Sequence, residues 1–224
     1  ESVILEIKEI LAAYPDIQSV RILDDLFLRN SRSIDMANNI FLRFPQLSWR
    51  GMVHAFSLVG NIEKVNELRK GKCKELFMGI ESGSEKMRKK INKLGSPDDV
   101  ITVSRAILKN GIDLKGYFIY GFPGETKEDF KKTYELASKI KEISHTTPGS
   151  FRTSVFQFRP YHGTQLYNEI LQTTGIIHGC EINKSISQFE GRLQFNFDFG
   201  NYSMESDELL NEYIIKTQKL AEEK

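Results

Sequence analysis

Four short stretches of this chain hold the residue types that bind and orient polar ligands. They are Leu23-Asp24-Asp25, Gly79-Ile80-Glu81-Ser82-Gly83-Ser84, Tyr120-Gly121-Phe122-Pro123-Gly124-Glu125-Thr126, and Arg159-Pro160-Tyr161-His162-Gly163-Thr164. Carboxylates accept hydrogen bonds from hydroxyl and ammonium groups, and cationic side chains pair with carboxylates. Glycine lets a flat ligand approach the main chain. The third stretch follows Tyr117-Phe118-Ile119-Tyr120, an unbroken run of β-formers expected in a strand covered on both faces. Gly121 and Gly124 permit backbone angles closed to other residues, and Pro123 fixes the turn between them. Thr126, with Asp129 three residues on, resembles a capping box for the next helix. Free amides at that helix start make a seat for a polar or anionic ligand. Ordinary turn chemistry explains any one such loop, whereas four together favour a site.

The elements that must position these loops alternate regularly. An apolar stripe predicts a helix over Ser2–Tyr14, and a short strand follows over Ser19–Leu23. A helix capped by Ser33 runs to about Phe44, and Trp49–Phe56 is the next strand. Asn61–Lys70 forms a helix closed by Gly71, and Glu75–Ile80 a strand. A short helix over Glu85–Ile91 precedes one opened by Ser96-Pro97-Asp98-Asp99 and closed by Gly111. The strand Lys115–Tyr120, the helix Lys127–Ile143, the strand Arg152–Phe158 and the helix Gln165–Gln172 complete the series. Such alternation predicts a parallel sheet with right-handed crossovers, barrel-like or doubly wound. Ligands in these sheets bind at the C-terminal strand ends, which places all four stretches on one rim. Residues 1–175 form the expected core and 176–224 a C-terminal extension. In that extension Phe195, Phe197, Phe199 and Tyr202 alternate with polar residues, and Ser206 to about Glu222 is a last helix. The opening helix lacks a strand in front of it and the chain starts at Glu1. A preceding strand is therefore expected, and with it a bare apolar edge at Ser19–Leu23, covered by a second copy or by the Phe195–Tyr202 segment.

With 31 basic against 30 acidic side chains, the composition argues against nucleic acid or an anionic membrane as the main partner. No apolar run approaches the ~20 residues of a membrane span, and no signal peptide is visible. Two cysteines are too few for a disulfide framework, so a cytoplasmic location is expected. No histidine pair has metal-ligand spacing, so no protein-bound zinc is expected. His54, inside a strand, suits core packing or substrate contact equally. His145 reads as a loop residue, His162 lies in a rim loop, and His178 has no context. Arg50 and Arg159 flank the rim, as surface residues or as contacts for an anionic substrate.

From about Glu6 to Tyr167 these motifs, with Lys93 following the second, resemble the radical S-adenosylmethionine enzymes. The similarity is strongest to the subgroup that often carries a cobalamin-binding domain upstream. The resemblance implies a partial (β/α)6 TIM-like barrel, here lacking its first strand, with a short α/β extension. It implies reductive cleavage of S-adenosylmethionine to a 5′-deoxyadenosyl radical, used for hydrogen abstraction or methyl transfer. The implied cofactors are S-adenosylmethionine, a [4Fe-4S] cluster and, with the upstream domain, cobalamin. The implied partners are an unknown substrate and an electron donor such as a flavodoxin or ferredoxin. By the same resemblance Glu81 and Ser82 meet ribose and methionine, and Ile119 and Gly121 meet adenine. Asp24 and Asp25 stand where the methionine amino group is held, and Lys93 where its carboxylate is. Glu125 and Arg159 complete the set. The departure is in the cysteines: the cluster needs Cys-x-x-x-Cys-x-x-Cys, and this chain has only Cys73 and Cys180. Cys73 reads as a buried structural thiol and Cys180 has no assigned role, so the chain as it stands is expected to be inactive. Two alternatives stay open. One is an iron-free, aldolase-like or phosphate-binding barrel, which a lysine inside a strand favours; Lys115 lies only at a strand edge. The other is a non-catalytic scaffold that has lost the cluster.

Overall fold

The computed structural model of the chain describes residues 1–174 and 200–222. Five parallel strands lie in the order in which the chain makes them: β1 (Ser19–Arg21), β2 (Ser48–Val53), β3 (Cys73–Glu81), β4 (Asp113–Tyr120) and β5 (Phe151–Gln157). A doubly wound sheet reverses its strand order at a switch point, and this one does not. The sheet is a wall of a partial barrel. Its helices are α1 (Ser2–Ala13), α2 (Ser31–Phe41), α3 (Ala55–Val59), α4 (Val65–Lys70), α5 (Glu85–Lys90), α6 (Pro97–Lys109), α7 (Lys127–His145), α8 (Gln165–Thr174) and α9 (Asp207–Lys219). Among the described residues none is long and apolar enough to cross a membrane.

Burial alternates along β4. Leu114, Gly116, Phe118 and Tyr120 are buried under the helices, while Asp113, Lys115, Tyr117 and Ile119 are half-exposed on the other face. The helix-side core collects Trp49, Leu76, Ile80, Phe118 and Phe130. Trp49 stacks on Phe41 at 4.9 Å and donates its indole N–H to the Gly71 carbonyl at 2.7 Å. The last helix belongs to this core. Leu210, Tyr213 and Ile214 are buried in it, the Tyr120 and Thr217 hydroxyls share a 2.7 Å hydrogen bond, and Thr153 Oγ1 donates to the Thr217 carbonyl at 2.8 Å.

Several boundaries differ from expectation for local reasons. Asn30, not Ser33, caps α2; Ser33 is the far member of that capping box, at 3.0 Å in both directions. β2 stops at Val53 because the His54 side chain caps α3. Gly71 closes α4 at φ −72°, and Lys72 takes the left-handed turn at +66°. β1 ends at Arg21, and the chain loops out through Asp24-Asp25 before rejoining β2 at Leu28, opposite Val53. Of the alternating aromatic segment, Phe195, Phe197 and Phe199 lie outside the described residues, as do His178 and Cys180. Gly200 and Tyr202 sit at the opposite edge of the sheet from β1: Gln157 Nε2 donates to Gly200 O at 2.8 Å, and Gly124 N to Tyr202 O at 3.3 Å. The described part of that segment therefore straps the β4–α7 loop and leaves β1 uncovered.

The turn after β3 is pressed against the start of α7. A Cβ built on Gly83 would lie 2.3 Å from the Lys132 carbonyl oxygen and 2.9 Å from Thr133 Cα. Both neighbours are backbone, so neither can swing aside. Gly83→Ala is expected to cost about 1–3 kcal/mol by overpacking, a loss of several degrees in thermal midpoint for a chain of this length. An unchanged midpoint by circular dichroism would show that the turn and α7 separate freely.

Candidate functional site

Because every strand pair is parallel, the segments after β1, β3, β4 and β5 emerge at one end of the sheet. Asp24, Glu81, Gly121 and Arg159 therefore share a rim. At the end of β3 the register slips between Gly79 and Glu81, and Glu81 has φ +64°. The left-handed region costs a side-chain-bearing residue on the order of 1 kcal/mol or more, and persists where surrounding structure over-determines it. Here it turns the carboxylate back over Gly79. A Cβ at Gly79 would lie 2.5 Å from Glu81 Oε1 and 3.0 Å from Lys93 Nζ, so the missing side chain makes room for that pair. Lys93 Nζ and Glu81 Oε1 stand 3.2 Å apart.

Arg88 holds both partners. Its buried guanidinium donates through Nη1 to the Ile80 and Ser82 carbonyls, at 2.8 and 3.1 Å, on either side of Glu81. Nε reaches the Gly95 carbonyl at 2.8 Å and Nη2 the Leu94 carbonyl at 2.9 Å, beside Lys93. Sequence reasoning missed this residue, because Glu85-Lys86-Met87-Arg88-Lys89-Lys90 looks like a solvated charge run.

Glu125 and Ser82, expected at the ligand, are fully buried and shape the loops instead. Glu125 Oε2 accepts from Gly121 N at 2.7 Å and Phe122 N at 2.9 Å, closing the turn in which Gly121 and Gly124 take φ +93° and +71°. Burial pushes its pKa up to about 8, against the pull of the two amides. The Ser82 hydroxyl bonds Thr133 Oγ1 at 3.0 Å and accepts from Ser84 N at 3.1 Å. At the start of α7, Asp129 accepts from Ser84 Oγ at 2.5 Å, Thr126 N at 3.0 Å, Thr126 Oγ1 at 2.8 Å and Lys86 Nζ at 3.0 Å. Burial works against its charge, yet the bonds from Ser84, Thr126 and Lys86 hold the pKa at about 2. Glu205, also unseen in the sequence, accepts from Lys127 N at 2.7 Å. These helix-start amides are thus occupied by the chain's own carboxylates, which removes the expected anion seat and with it the phosphate-binding alternative.

Asp24 and Asp25 are exposed, and Asp24 Oδ1 accepts from Leu26 N at 2.8 Å within its own turn. Ile119 is half-buried at the top of β4. The Arg159 guanidinium lies over the Tyr161 ring at 5.3 Å. His145 is the exposed last residue of α7, and the His162 ring meets Tyr167 edge-on at 5.0 Å. Lys115 is the third residue of β4, inside the strand rather than at its edge. His54 Nδ1 accepts from Phe56 N at 3.2 Å, which leaves the neutral ring's proton on Nε2.

A [4Fe-4S] cluster does not fit these residues. Cys73 opens β3 at the end away from the rim, fully buried, and burial pushes its thiol pKa far up. The chain has one other cysteine, and no group of potential metal ligands occurs among the described residues.

The radical SAM superfamily model matches residues 7–137, more than half of the chain. The chain belongs to the radical SAM superfamily. The match runs from α1 to α7 and so includes the Glu81 and Gly121 loops, which sets the aldolase-like alternative aside. Among curated proteins, an uncharacterized methyltransferase of Pyrococcus horikoshii is 30% identical over 67% of this chain and 31% of its own length. A tRNA-2-methylthio-N(6)-dimethylallyladenosine synthase of Lawsonia intracellularis is 33% identical over 50% and 26%. The chain thus spans about a third or less of these relatives. Among solved structures, the apo form of the cobalamin-dependent S-adenosylmethionine radical enzyme OxsB aligns with TM-score 0.63 at 13% identity, over 90% of this chain and 34% of that one. The radical S-adenosylmethionine methyltransferase TsrM of Kitasatospora setae, with tryptophan and an S-adenosylmethionine analogue bound, also gives 0.63, at 17% identity over 77% and 33%. At such identities the likeness establishes the shared fold.

In this superfamily member the rim histidine has a measurable signature. Burial first, then Lys93 and Arg88, lowers the His54 pKa from 6.5 to about 4. Between those values the unfolded chain binds a proton that the folded chain refuses, so stability falls as pH drops from about 6.5 to about 4. His54→Asn keeps a good cap and removes the titration. The difference in thermal midpoint between variant and wild type should therefore shift in the variant's favour from pH 7 to pH 5. A difference that does not change with pH would place the histidine in ordinary solvent.

Proposed function

We propose that this rim binds S-adenosylmethionine, and that the chain is the ligand-binding wall of a radical S-adenosylmethionine enzyme of the hydrogen-abstracting or methyl-transferring kind. One observation carries the reading: the strained Glu81, folded over Gly79 and paired with Lys93 at the end of β3. The carboxylate has acceptor capacity left for ribose hydroxyls, and the lysine has donors left for a carboxylate. Ile119, half-exposed at the top of β4, is the residue offered to adenine, whereas Gly121 is buried against Leu210 and Gln157 with its N–H held by Glu125. The exposed Asp24-Asp25 turn, at the same end, suits an ammonium group. Arg88, Glu125 and Asp129 act through the backbone they hold. The paired lysine and the donors around Glu81 keep charge in place before a ligand arrives, so little reorganisation accompanies binding.

The kinship with methyltransferases and a methylthiotransferase-type synthase supports the group-transfer kind, and a small electron-transfer protein of flavodoxin or ferredoxin type is the proposed partner. The solved relatives with cobalamin make a cobalamin-binding companion domain part of the proposal. No step is assigned to an iron–sulfur cluster, because these residues do not hold one. Anaerobic reconstitution of the 224-residue chain is accordingly expected to leave it colourless, with iron and sulfide near background. Stoichiometric iron and sulfide would mean that ligands other than a cysteine triplet suffice.

The rim itself is tested with 5′-deoxyadenosine and S-adenosylmethionine by titration calorimetry. Losing a charged hydrogen-bond partner costs about 1.5–3 kcal/mol, so Glu81→Ala should weaken binding roughly ten- to a hundred-fold. Glu81→Gly should lose the same affinity while holding or raising the thermal midpoint, since it relieves the left-handed backbone. Unchanged affinity in both folded variants would remove Glu81 from the site.

A further inference from the structure

The sheet face turned away from the helices carries an imbalance of charge. Arg21, Arg50, Lys115 and Arg152 come to it from β1, β2, β4 and β5, around the carboxylate of Glu75 on β3. Glu75, itself buried, takes Arg152 Nε at 2.8 Å and Arg50 Nη1 at 3.5 Å. The other carboxylates of the face are committed elsewhere. Asp113 accepts from Ser150 N and Oγ at 2.8 and 2.7 Å, and Glu81 pairs with Lys93. Among the described residues Arg21 and Lys115 make no ion pair; they lie over aromatic rings instead, Arg21 Cζ 4.8 Å from the Phe77 centroid and Lys115 Nζ 5.2 Å from that of Tyr117. Those rings belong to a row across the sheet, with Phe77 and Tyr117 centroids 6.5 Å apart and Tyr117 and Phe156 6.0 Å. The row stands between the basic residues and the Glu81 rim, because along β3 and β4 Glu75 and Lys115 come first, Phe77 and Tyr117 next, and Glu81 and Ile119 last.

A barrel floor that serves stability alone matches its charges, since crowded like charges oppose folding. Here four cations share Glu75, the one carboxylate of the face not committed elsewhere. The Lys115 ammonium is already penalised: burial lowers its pKa, then Arg152, with Glu75 opposing and Arg21 adding to the fall. An anion placed among them relieves that crowding and stabilises the fold by linkage. The half-exposed ring of Tyr117 offers a flat apolar surface beside it.

We infer that the concave face takes an organic anion, a phosphate or carboxylate borne on a planar group, as the substrate class of this enzyme. The assignment as substrate rests on the reading of the rim above; the anion site stands on its own residues. Calorimetry at constant ionic strength with phenyl phosphate, inorganic phosphate and benzoate tests it, with 5′-deoxyadenosine titrated in parallel. Phenyl phosphate or benzoate, whichever head group fits, is expected to bind about ten-fold more tightly than inorganic phosphate. Lys115→Met, which keeps the volume inside β4, should weaken that binding by about ten-fold as a charged contact is lost. Tyr117→Ala should abolish the preference over inorganic phosphate. If no anion binds, or if Lys115→Met and Arg21→Ala bind as wild type does, the inference is wrong. Deoxyadenosine binding without anion binding overturns this inference alone. Anion binding without deoxyadenosine binding overturns the reading of the rim and keeps the anion site.

Discussion

Asp129 ties together two loops that meet nowhere else through so many polar contacts. One of its oxygens takes the Ser84 hydroxyl that caps α5, and the other takes the Thr126 amide and hydroxyl and the Lys86 ammonium. The same ammonium reaches the Gly124 carbonyl, at 3.1 Å. One turn on, Thr133 Oγ1 accepts from Gly83 N and bonds Ser82. The loop after β3 and the loop after β4 are therefore referenced to one helix start rather than only to their own strands. A nearly buried carboxylate is costly unless its acceptor sites are filled, and here they are filled from both loops. The spacing between Glu81 and Gly121 inherits its rigidity from that joint.

Glu125 and Asp129 sit four residues apart and titrate in opposite directions. Burial dominates for Glu125, whose Oε1 has no hydrogen-bond partner among the described residues. For Asp129 the hydroxyl, amide and ammonium donors outweigh burial. Glu125 lies deeper and accepts from two amides, whereas Asp129 is shallower and collects four donors. That difference explains why one carboxylate braces a tight turn locally while the other joins separate elements. The Glu81 bulge follows the same logic at the next remove: Arg88 takes the carbonyls on either side of the strained residue, so the unfavourable backbone is held by groups that never touch a ligand.

The fold was legible because its signals are local. The capping boxes of Ser96 with Asp99 and of Thr126 with Asp129 stand where the spacing puts them, and the strand ends carry the four loops to one rim. What escaped was set by distant partners or by competition at an element's end. Glu205 meets Lys127 across 78 residues of chain, and the Gly83 packing on Lys132 has no sequence signature. Asn30 outcompetes Ser33 as a cap, and His54 leaves its strand to cap α3. Ser82 and Glu125 were misplaced for a different reason. A loop motif names the residues that shape a turn and the residues that face a ligand alike, and only burial separates them.

Net charge is the other place where a whole-chain quantity misleads. A balance of 31 basic and 30 acidic side chains argues against a polyanionic surface partner, and it says nothing of one face. The acids are spent on helix starts and turns: Asp99, Asp129 and Glu205 on amides, Asp113 on Ser150, Asp24 on its own loop. Cations, which cannot accept those amides, are left over where the strands face the barrel interior. A parallel sheet needs capped helices after its strands, so acids are drawn to the rim loops and helix starts by local hydrogen bonding. The interior of the wall is free of that demand, and its charge reflects what it must meet. On this chain that interior is basic and aromatic, beneath a rim whose strained carboxylate, Glu81, is already matched by Lys93.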